Sequence, residues 1–351
     1  MIISIQDKLI GDEQPCFMIA EAGVNHNGSV DTAKRLIDAA ASAGADAVKF
    51  QTFSADRLAL ADTPLAGYQK EHITHTSDQQ QMLKELELPL PAFRDLMDHC
   101  AKRGVIFLSS PFDEISADLL NDLGVAAFKV PSGELTNHSN LDHIARKGKP
   151  VILSTGMSTL GEVESALRVV ENAGNDQIIL LQCTSAYPAD VRDVNLNAML
   201  TLKRAFRYPV GFSDHTEGGD IALAAVALGA RVVEKHLTLD RGLPGPDHQA
   251  SIEPDELAAM IRSIRRVEQA LGDGRKRPSR QEQENAKLVR KSICAKKDIP
   301  KGAIIEMSAL ILSRPGDGLP PSFLPILLGK RASQAIGAGT QISLEMIQQA
   351  G

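Results

Sequence analysis

Phe17-Met-Ile-Ala-Glu-Ala-Gly-Val-Asn-His-Asn-Gly-Ser-Val-Asp-Thr-Ala-Lys-Arg-Leu-Ile-Asp-Ala-Ala-Ala-Ser-Ala-Gly-Ala-Asp-Ala-Val-Lys-Phe-Gln51 reads as a strand, a helix and a second strand. The apolar run at 17–21 ends on a charged residue. Val30, Ala33, Leu36, Ile37 and Ala40 then fall on one helical face, with Ser29 placed to cap the helix and Gly44 to end it. The same alternation continues to about residue 272, with strands predicted at 17–21, 46–51, 105–110, 127–131, 151–155, 178–184, 209–213 and 232–236. Eight βα units are the count that closes a (β/α)8 TIM barrel, and an open doubly wound sheet rarely needs so many.

Around this repeat, residues 1–15, turning at Gly11-Asp12, read as a hairpin over one end of the barrel. The polar stretch 68–88 after the second strand reads as a lid or rim element. The barrel domain is placed at 1–271 and a polar, Gly- and Pro-punctuated linker at 272–287. A small second domain follows at 288–351. Its Ala295, Ile299, Gly302, Ile305, Met307 and Leu310 recur 37 positions on as Ala332, Ile336, Gly339, Ile342, Leu344 and Ile347, which predicts a compact, pseudo-symmetric fold.

The chain has 351 residues, with 38 Lys and Arg against 44 Asp and Glu, a formal charge of −6. Without clustered cations it offers no phosphate-binding surface for nucleic acid. No apolar stretch approaches the ~20 residues that span a bilayer, and the first residues lack the order of a signal peptide. Cys16, Cys100, Cys183 and Cys294 lie far apart, without a CxxC pair, and read as reduced, buried thiols of a cytoplasmic protein.

Chemistry in a barrel of this type sits at the C-terminal strand ends. All eight ends here turn from apolar to polar: Glu21; Lys49 and Gln51; Ser109 and Ser110; Lys129, Ser132 and Glu134; Ser154 and Thr155; Thr184, Ser185 and Tyr187; Ser213, Asp214 and His215; Glu234, Lys235 and His236. Lys49 and Lys129, with Ser110, Ser132, Ser154 and Ser213, are donors suited to a phosphate or carboxylate. His215 and His236 end adjacent strands, where two imidazoles with waters and a substrate oxygen suit a divalent metal. Glu21, Glu134 and Asp247 are left to bind hydroxyls or move protons, or to form salt bridges.

The runs Ile19-Ala-Glu-Ala-Gly-Val-Asn-His-Asn-Gly28, Asp46-Ala-Val-Lys-Phe-Gln-Thr52, Lys129-Val-Pro-Ser-Gly-Glu134, Leu153-Ser-Thr-Gly-Met157, Cys183-Thr-Ser, Gly211-Phe-Ser-Asp-His-Thr216, Glu234-Lys-His-Leu-Thr238 and Pro244-Gly-Pro-Asp247 together resemble the sialic acid synthase family. Residues 288–351, with Arg314-Pro-Gly-Asp-Gly318, are similar to that family's C-terminal antifreeze-like (SAF, β-clip) domain.

The resemblance implies condensation of phosphoenolpyruvate with N-acetylmannosamine and water, giving N-acetylneuraminate and phosphate by C–O cleavage. A 6-deoxy diacetamido aldose, leading to N,N'-diacetyllegionaminate, is the alternative. It also implies Lys49, Ser110, Lys129, Ser132, Ser154, Ser185 and Ser213 around phosphoenolpyruvate, and Glu21, Glu134 and Glu234 as catalytic carboxylates. Gln51, Tyr187, Asp247 and Arg314 would meet the sugar. His215 and His236 would hold Mn2+, Mg2+ or Co2+. Ser110 and Ser185 stand where some bacterial members carry Thr and Asn. The implied assembly is a homodimer in which Arg314 reaches the partner's site. Two other readings are a Schiff-base aldolase on Lys129 or Lys235 and a non-catalytic carbohydrate- or ice-binding protein.

Overall fold

The computed structural model describes residues 1–73 and 76–348; part of the 68–88 insertion and residues 349–351 of the predicted terminal domain lie outside them. The chain divides into two compact units, Met1–Gly272 and Asp273–Gly351.

The first unit opens with an antiparallel hairpin, β1 (Ile2–Ile5) and β2 (Lys8–Gly11). Eight parallel strands follow: β3 (Phe17–Gly23), β4 (Ala47–Thr52), β5 (Ile106–Pro111), β6 (Phe128–Val130), β7 (Val151–Ser154), β8 (Ile178–Cys183), β9 (Val210–Asp214) and β10 (Val232–His236). Each predicted strand is present within two residues at either end. The hydrogen-bonded order is β5-β4-β3-β10-β9-β8-β7-β6, and β5 lies beside β6 to complete the ring. This is a TIM barrel. The helix Val30–Ala43 begins at Ser29, whose side chain accepts from Thr32 N, and ends at Gly44 in the left-handed region at φ 88°. Its Ala33, Leu36, Ile37 and Ala40 are buried against the barrel wall.

Side chains alternate across a strand with period two, and the barrel interior follows that rule. Phe17, Ile19, Ala47, Ile106, Leu108, Ala127, Ile152, Ile179, Leu181 and Val232 form an apolar inner cluster. Ile3, Ile5 and Ile10 of the hairpin belong to the same cluster, so the hairpin plugs the N-terminal end of the barrel. Two residues further along each strand, the apolar layers give way to Glu21, Lys49, Ser110, Lys129, Ser154, Cys183, Ser213 and Glu234. At Gly211 a Cβ would collide with the Val232 carbonyl, so only glycine fits that inward position on β9.

The insertion after β4 carries helices Gly67–His72 and Gln79–Leu86. Leu65, Ile73, Met82 and Leu86 pack on Val24 and Phe53, forming a small core of their own beside the strand ends.

In the second unit the stretch read as a linker is helical from Arg280 to Val289. Ser279 and Glu282 form a capping box, and no helix residue is buried. Local capping makes the helix where no core is available to do so. Beyond it, the 37-residue repeat is realised as a pseudo-two-fold. Strands β11 (Ser292–Ala295) and β12 (Leu310–Ser313) pair Ala295 with Leu310, as Ala332 pairs with Ile347. Ile299 and Ile336, equivalent positions, bond each other reciprocally at 2.8 and 2.9 Å. Gly302 and Gly339 share φ values of 81° and 82°.

Candidate active site

The eight inward polar side chains meet at the mouth of the barrel. Lys49 Nζ lies 2.8 Å from Glu21 Oε2 and 3.8 Å from Glu234 Oε1, and donates to Ser110 Oγ at 3.2 Å. Lys129 Nζ lies 3.4 Å from Glu234 Oε1, which also accepts from Ser213 Oγ at 3.2 Å. Gln51 Nε2 donates to Glu21 Oε1 at 3.4 Å. All four charged groups are at most 4 % exposed.

Such burial is costly for charge, and it divides the two carboxylates. Burial, opposed by Lys49 and reinforced by Glu234, pushes the Glu21 carboxyl up to about 7. Burial acts on Glu234 in the same sense, but Lys129, Lys49 and His215 outweigh it and hold that carboxyl below its ordinary value. Burial also lowers Lys129. At Lys49 it is overcome by Glu21 and Glu234, which raise the ammonium. With Glu21 protonated, two ammonium groups face one carboxylate, and the mouth is poised for an anion.

The serines surround this cluster. Ser154 Oγ is buried without a partner, as is Glu234 Oε2. Ser132 Oγ accepts from Gly156 N at 2.9 Å. A Cβ on Gly156 would collide with Ser185 Oγ and lie 2.7 Å from Ser132 Oγ, so the absent side chain brings the loops after β6, β7 and β8 together. Nothing in the sequence sets Gly156 apart within its motif or marks Cys183 as more than a buried thiol. That thiol is buried and free, as are the other three cysteines, but it lies 4.0 Å from His215 Nδ1 and from Ser185 Oγ. Burial would raise it, yet His215, Ser132 and Lys129 bring it down to about 7.

His215 and His236 sit with ring centroids 5.3 Å apart, and Tyr187 lies tilted at 4.2 Å from His215 and edge-to-face at 5.5 Å from His236. His215 Nδ1 donates to the Thr184 carbonyl at 2.7 Å, which leaves Nε2 available to a cation. His236 Nδ1 is buried without a hydrogen-bond partner, 4.0 Å from Asp247 Oδ2. Burial, with His215 and the nearby lysines, holds His236 far below its ordinary value, so the ring is neutral as a ligand must be. Burial pushes Asp247 up to about 6. Among the described residues no group of three or more His, Cys, Asp and Glu is arranged around one metal position. Burial lowers His215, but Cys183 and the Thr184 carbonyl outweigh it and raise that ring above its ordinary value, so it would shed a proton on taking a cation. The two rings would then fit a cation whose remaining positions go to water and substrate.

Two expected residues have local partners of their own. Glu134, on the turn after β6, is held through Oε2 by Asn137 Nδ2 at 2.8 Å and Asn140 Nδ2 at 2.9 Å. Arg314 belongs to the second unit, exposed, its Nε donating to the Val289 carbonyl at 2.9 Å. Lys235 faces the helices rather than the mouth, paired with Asp214, which removes it as a Schiff-base lysine.

A TIM-barrel mouth lined by two buried lysines, two buried carboxylates and two histidines suits an enzyme acting on small molecules, and comparison with known proteins narrows the class. The NeuB family model matches residues 36–276 and the SAF domain model residues 290–348. The chain belongs to the NeuB family and carries a C-terminal SAF domain. It is 50% identical over 319 residues to an N,N'-diacetyllegionaminic acid synthase of Campylobacter jejuni, covering 90% of this chain and 96% of that one. A second N,N'-diacetyllegionaminic acid synthase, from Legionella pneumophila, is 48% identical over 96% of both chains. The crystal structure of an N-acetylneuraminic acid synthetase from Leptospira borgpetersenii is 36% identical, with a TM-score of 0.73 over 81% of this chain and 95% of that one. The protein is therefore an enzyme, a transferase of the nonulosonate synthase class. Among the described residues no helix is long and apolar enough to cross a membrane.

Proposed function

We propose that the chain condenses phosphoenolpyruvate with 2,4-diacetamido-2,4,6-trideoxymannose and water, giving N,N'-diacetyllegionaminate and phosphate. The observation that carries the choice of sugar is the 50% and 48% identity to two N,N'-diacetyllegionaminic acid synthases over nearly the whole chain. N-acetylmannosamine, first in the sequence reading, moves to second place behind it. The buried, free cysteines support a reducing compartment, the cytoplasm.

In this reading Lys49, Lys129 and the serines Ser110, Ser132, Ser154, Ser185 and Ser213 hold the phosphate and carboxylate of phosphoenolpyruvate. The partnerless Ser154 hydroxyl is free to donate to one of them. Gln51, Tyr187 and Asp247 face the sugar. His215 and His236 would hold a divalent cation, manganese, magnesium or cobalt, which would supply Lewis acidity toward an aldehyde oxygen. Carbon 3 of the enol attacks the aldehyde, and positive charge grows at carbon 2. Glu21, with a carboxyl near 7, gives its proton to the aldehyde-derived oxygen as that bond forms, and so ionised takes one from the water that adds at carbon 2. Glu134, engaged by two asparagines, is left a supporting role. Glu234 keeps its charge and orients both lysines. The tetrahedral adduct then loses phosphate by C–O cleavage. Arg314 of a second copy of the chain would cover the acyl end of the sugar in a swapped homodimer.

Phosphate release with phosphoenolpyruvate and a panel of aldoses tests the proposal. The diacetamido sugar should give the highest kcat/KM, and bridging oxygen-18 of phosphoenolpyruvate should appear in phosphate. A higher kcat/KM with N-acetylmannosamine would reverse the choice of sugar. No release with any aldose would reject the synthase reading.

A further inference from the structure

Behind the two histidines lies a buried polar cluster that the mechanism above does not use. Strand alternation that turns Glu234 and Ser213 into the mouth turns Lys235 and Asp214 to the opposite face. The two are register partners on β10 and β9. Lys235 Nζ lies 2.9 Å from Asp214 Oδ2 and also donates to the Thr216 carbonyl. Asp214 Oδ1 accepts from Thr216 N at 2.9 Å and from Thr216 Oγ1 at 2.7 Å. Lys235, Asp214 and Thr216 are each 1 % exposed.

This ring of bonds brackets both imidazoles. Asp214 and Thr216 flank His215, and Lys235 immediately precedes His236. Its purpose is not explained by stability, because desolvating an ion pair costs several kcal/mol per ion and an apolar pair of similar volume often holds two strands as well. What an apolar pair lacks is direction. Lys235 ties a carboxylate and a main-chain carbonyl on the two sides of His215 to the residue beside His236. The Thr184 carbonyl already orients the His215 ring, whereas His236 Nδ1 has no hydrogen-bond partner. The place of the His236 ring therefore depends on its backbone, which the cluster fixes.

We infer that Lys235, with Asp214 and Thr216, is a positioning residue that sets the separation of His215 and His236 and so the affinity for a divalent cation. The inference rests on the reading of those histidines as metal ligands. Partners lying behind ligating residues commonly contribute 10–100-fold in metal affinity.

The test is calorimetric titration of Mn2+ alone into the metal-stripped full-length protein. Wild type, Lys235→Met and Thr216→Val are compared, with Tm recorded for each. Asn175→Ala, which removes hydrogen bonds to the Ala145 and Lys149 carbonyls on another part of the barrel, serves as the stability control. Lys235→Met should weaken the manganese Kd by about 10–100-fold. Thr216→Val, which removes one hydrogen bond and keeps the ion pair, should weaken it by about threefold, and Asn175→Ala should lower Tm while leaving Kd unchanged. A Kd within twofold of wild type in folded Lys235→Met overturns the inference, as does an equal loss in Asn175→Ala. If Lys235→Met does not fold, an unchanged Kd in Thr216→Val overturns it alone. Manganese binding retained by the His215→Ala, His236→Ala double variant would instead remove the metal reading, and the inference with it.

Discussion

Glu21 and Glu234 are both buried on neighbouring strands, yet their environments drive them apart. Glu21 has one close cation, Lys49, whereas Glu234 shares Lys129 and Lys49 and accepts from Ser213. Groups whose surroundings separate their proton affinities divide acid–base work between them. Glu21→Gln should therefore lower kcat by about 10²–10⁴-fold with little change in the KM for phosphoenolpyruvate, measured by initial rates of phosphate release. Gly156→Ala acts on the other half of the site. Its Cβ would displace the Ser185 and Ser132 hydroxyls, so the KM for phosphoenolpyruvate should rise at least about tenfold, since each lost charge-assisted hydrogen bond is worth roughly 1.5–3 kcal/mol. The polar strand ends were legible in the sequence because period two and the end of each apolar run locate them. Gly156 and Cys183 were not, because their importance lies in contacts between strands that only barrel closure brings together.

Elements show the same division. The eight strands and the capped helix at Val30–Ala43 follow from local patterning, and the C-terminal repeat from matching positions. The helix Arg280–Val289 buries no side chain, so its composition reads as a linker and only the Ser279–Glu282 capping box signals it. A latch between the β3 end and the segment after β10 had no sequence signal at all. Asn25 Nδ2 donates to the Leu237 carbonyl and Ser251 Oγ at 2.9 and 2.8 Å, and His248 Nε2 lies 3.2 Å from Asn27 Oδ1. These partners are more than 200 positions apart. Beside it, His26 Nδ1 accepts from Gly28 N at 3.1 Å, a bond that protonation breaks. Burial holds His26 and His248 at about 4, against an ordinary 6.5. The unfolded chain thus binds protons that the folded chain refuses between those values. Their contribution to stability is complete above about 6.5 and is lost as pH falls toward 4. Urea unfolding from pH 7.5 to 4.5 should show a steady acid loss that His26→Gln reduces. An unchanged slope in that variant would remove the assignment.

At the scale of the whole molecule, the question is what the second unit contributes to catalysis. Its core is self-sufficient: Ile293, Ile299, Ile305, Leu327, Ile336 and Ile342 pack around the pseudo-two-fold. Arg314 needs nothing from that core. It stands exposed, with Nε on the Val289 carbonyl, and its remaining guanidinium donors suit an acyl oxygen. The proposed swap puts that guanidinium over the sugar of a second chain, and a mixed dimer separates this from a contact within one chain. His236→Ala and Arg314→Ala are each made inactive or nearly so, then refolded together. In a swapped dimer one mixed site collects both defects and the other collects neither, so about a quarter of wild-type activity should return when half the dimers are mixed. In an unswapped dimer every site keeps one defect and the mixture stays as inactive as its parents. A monomer by sedimentation would remove the swap outright and leave Arg314→Ala to act, if at all, within its own chain.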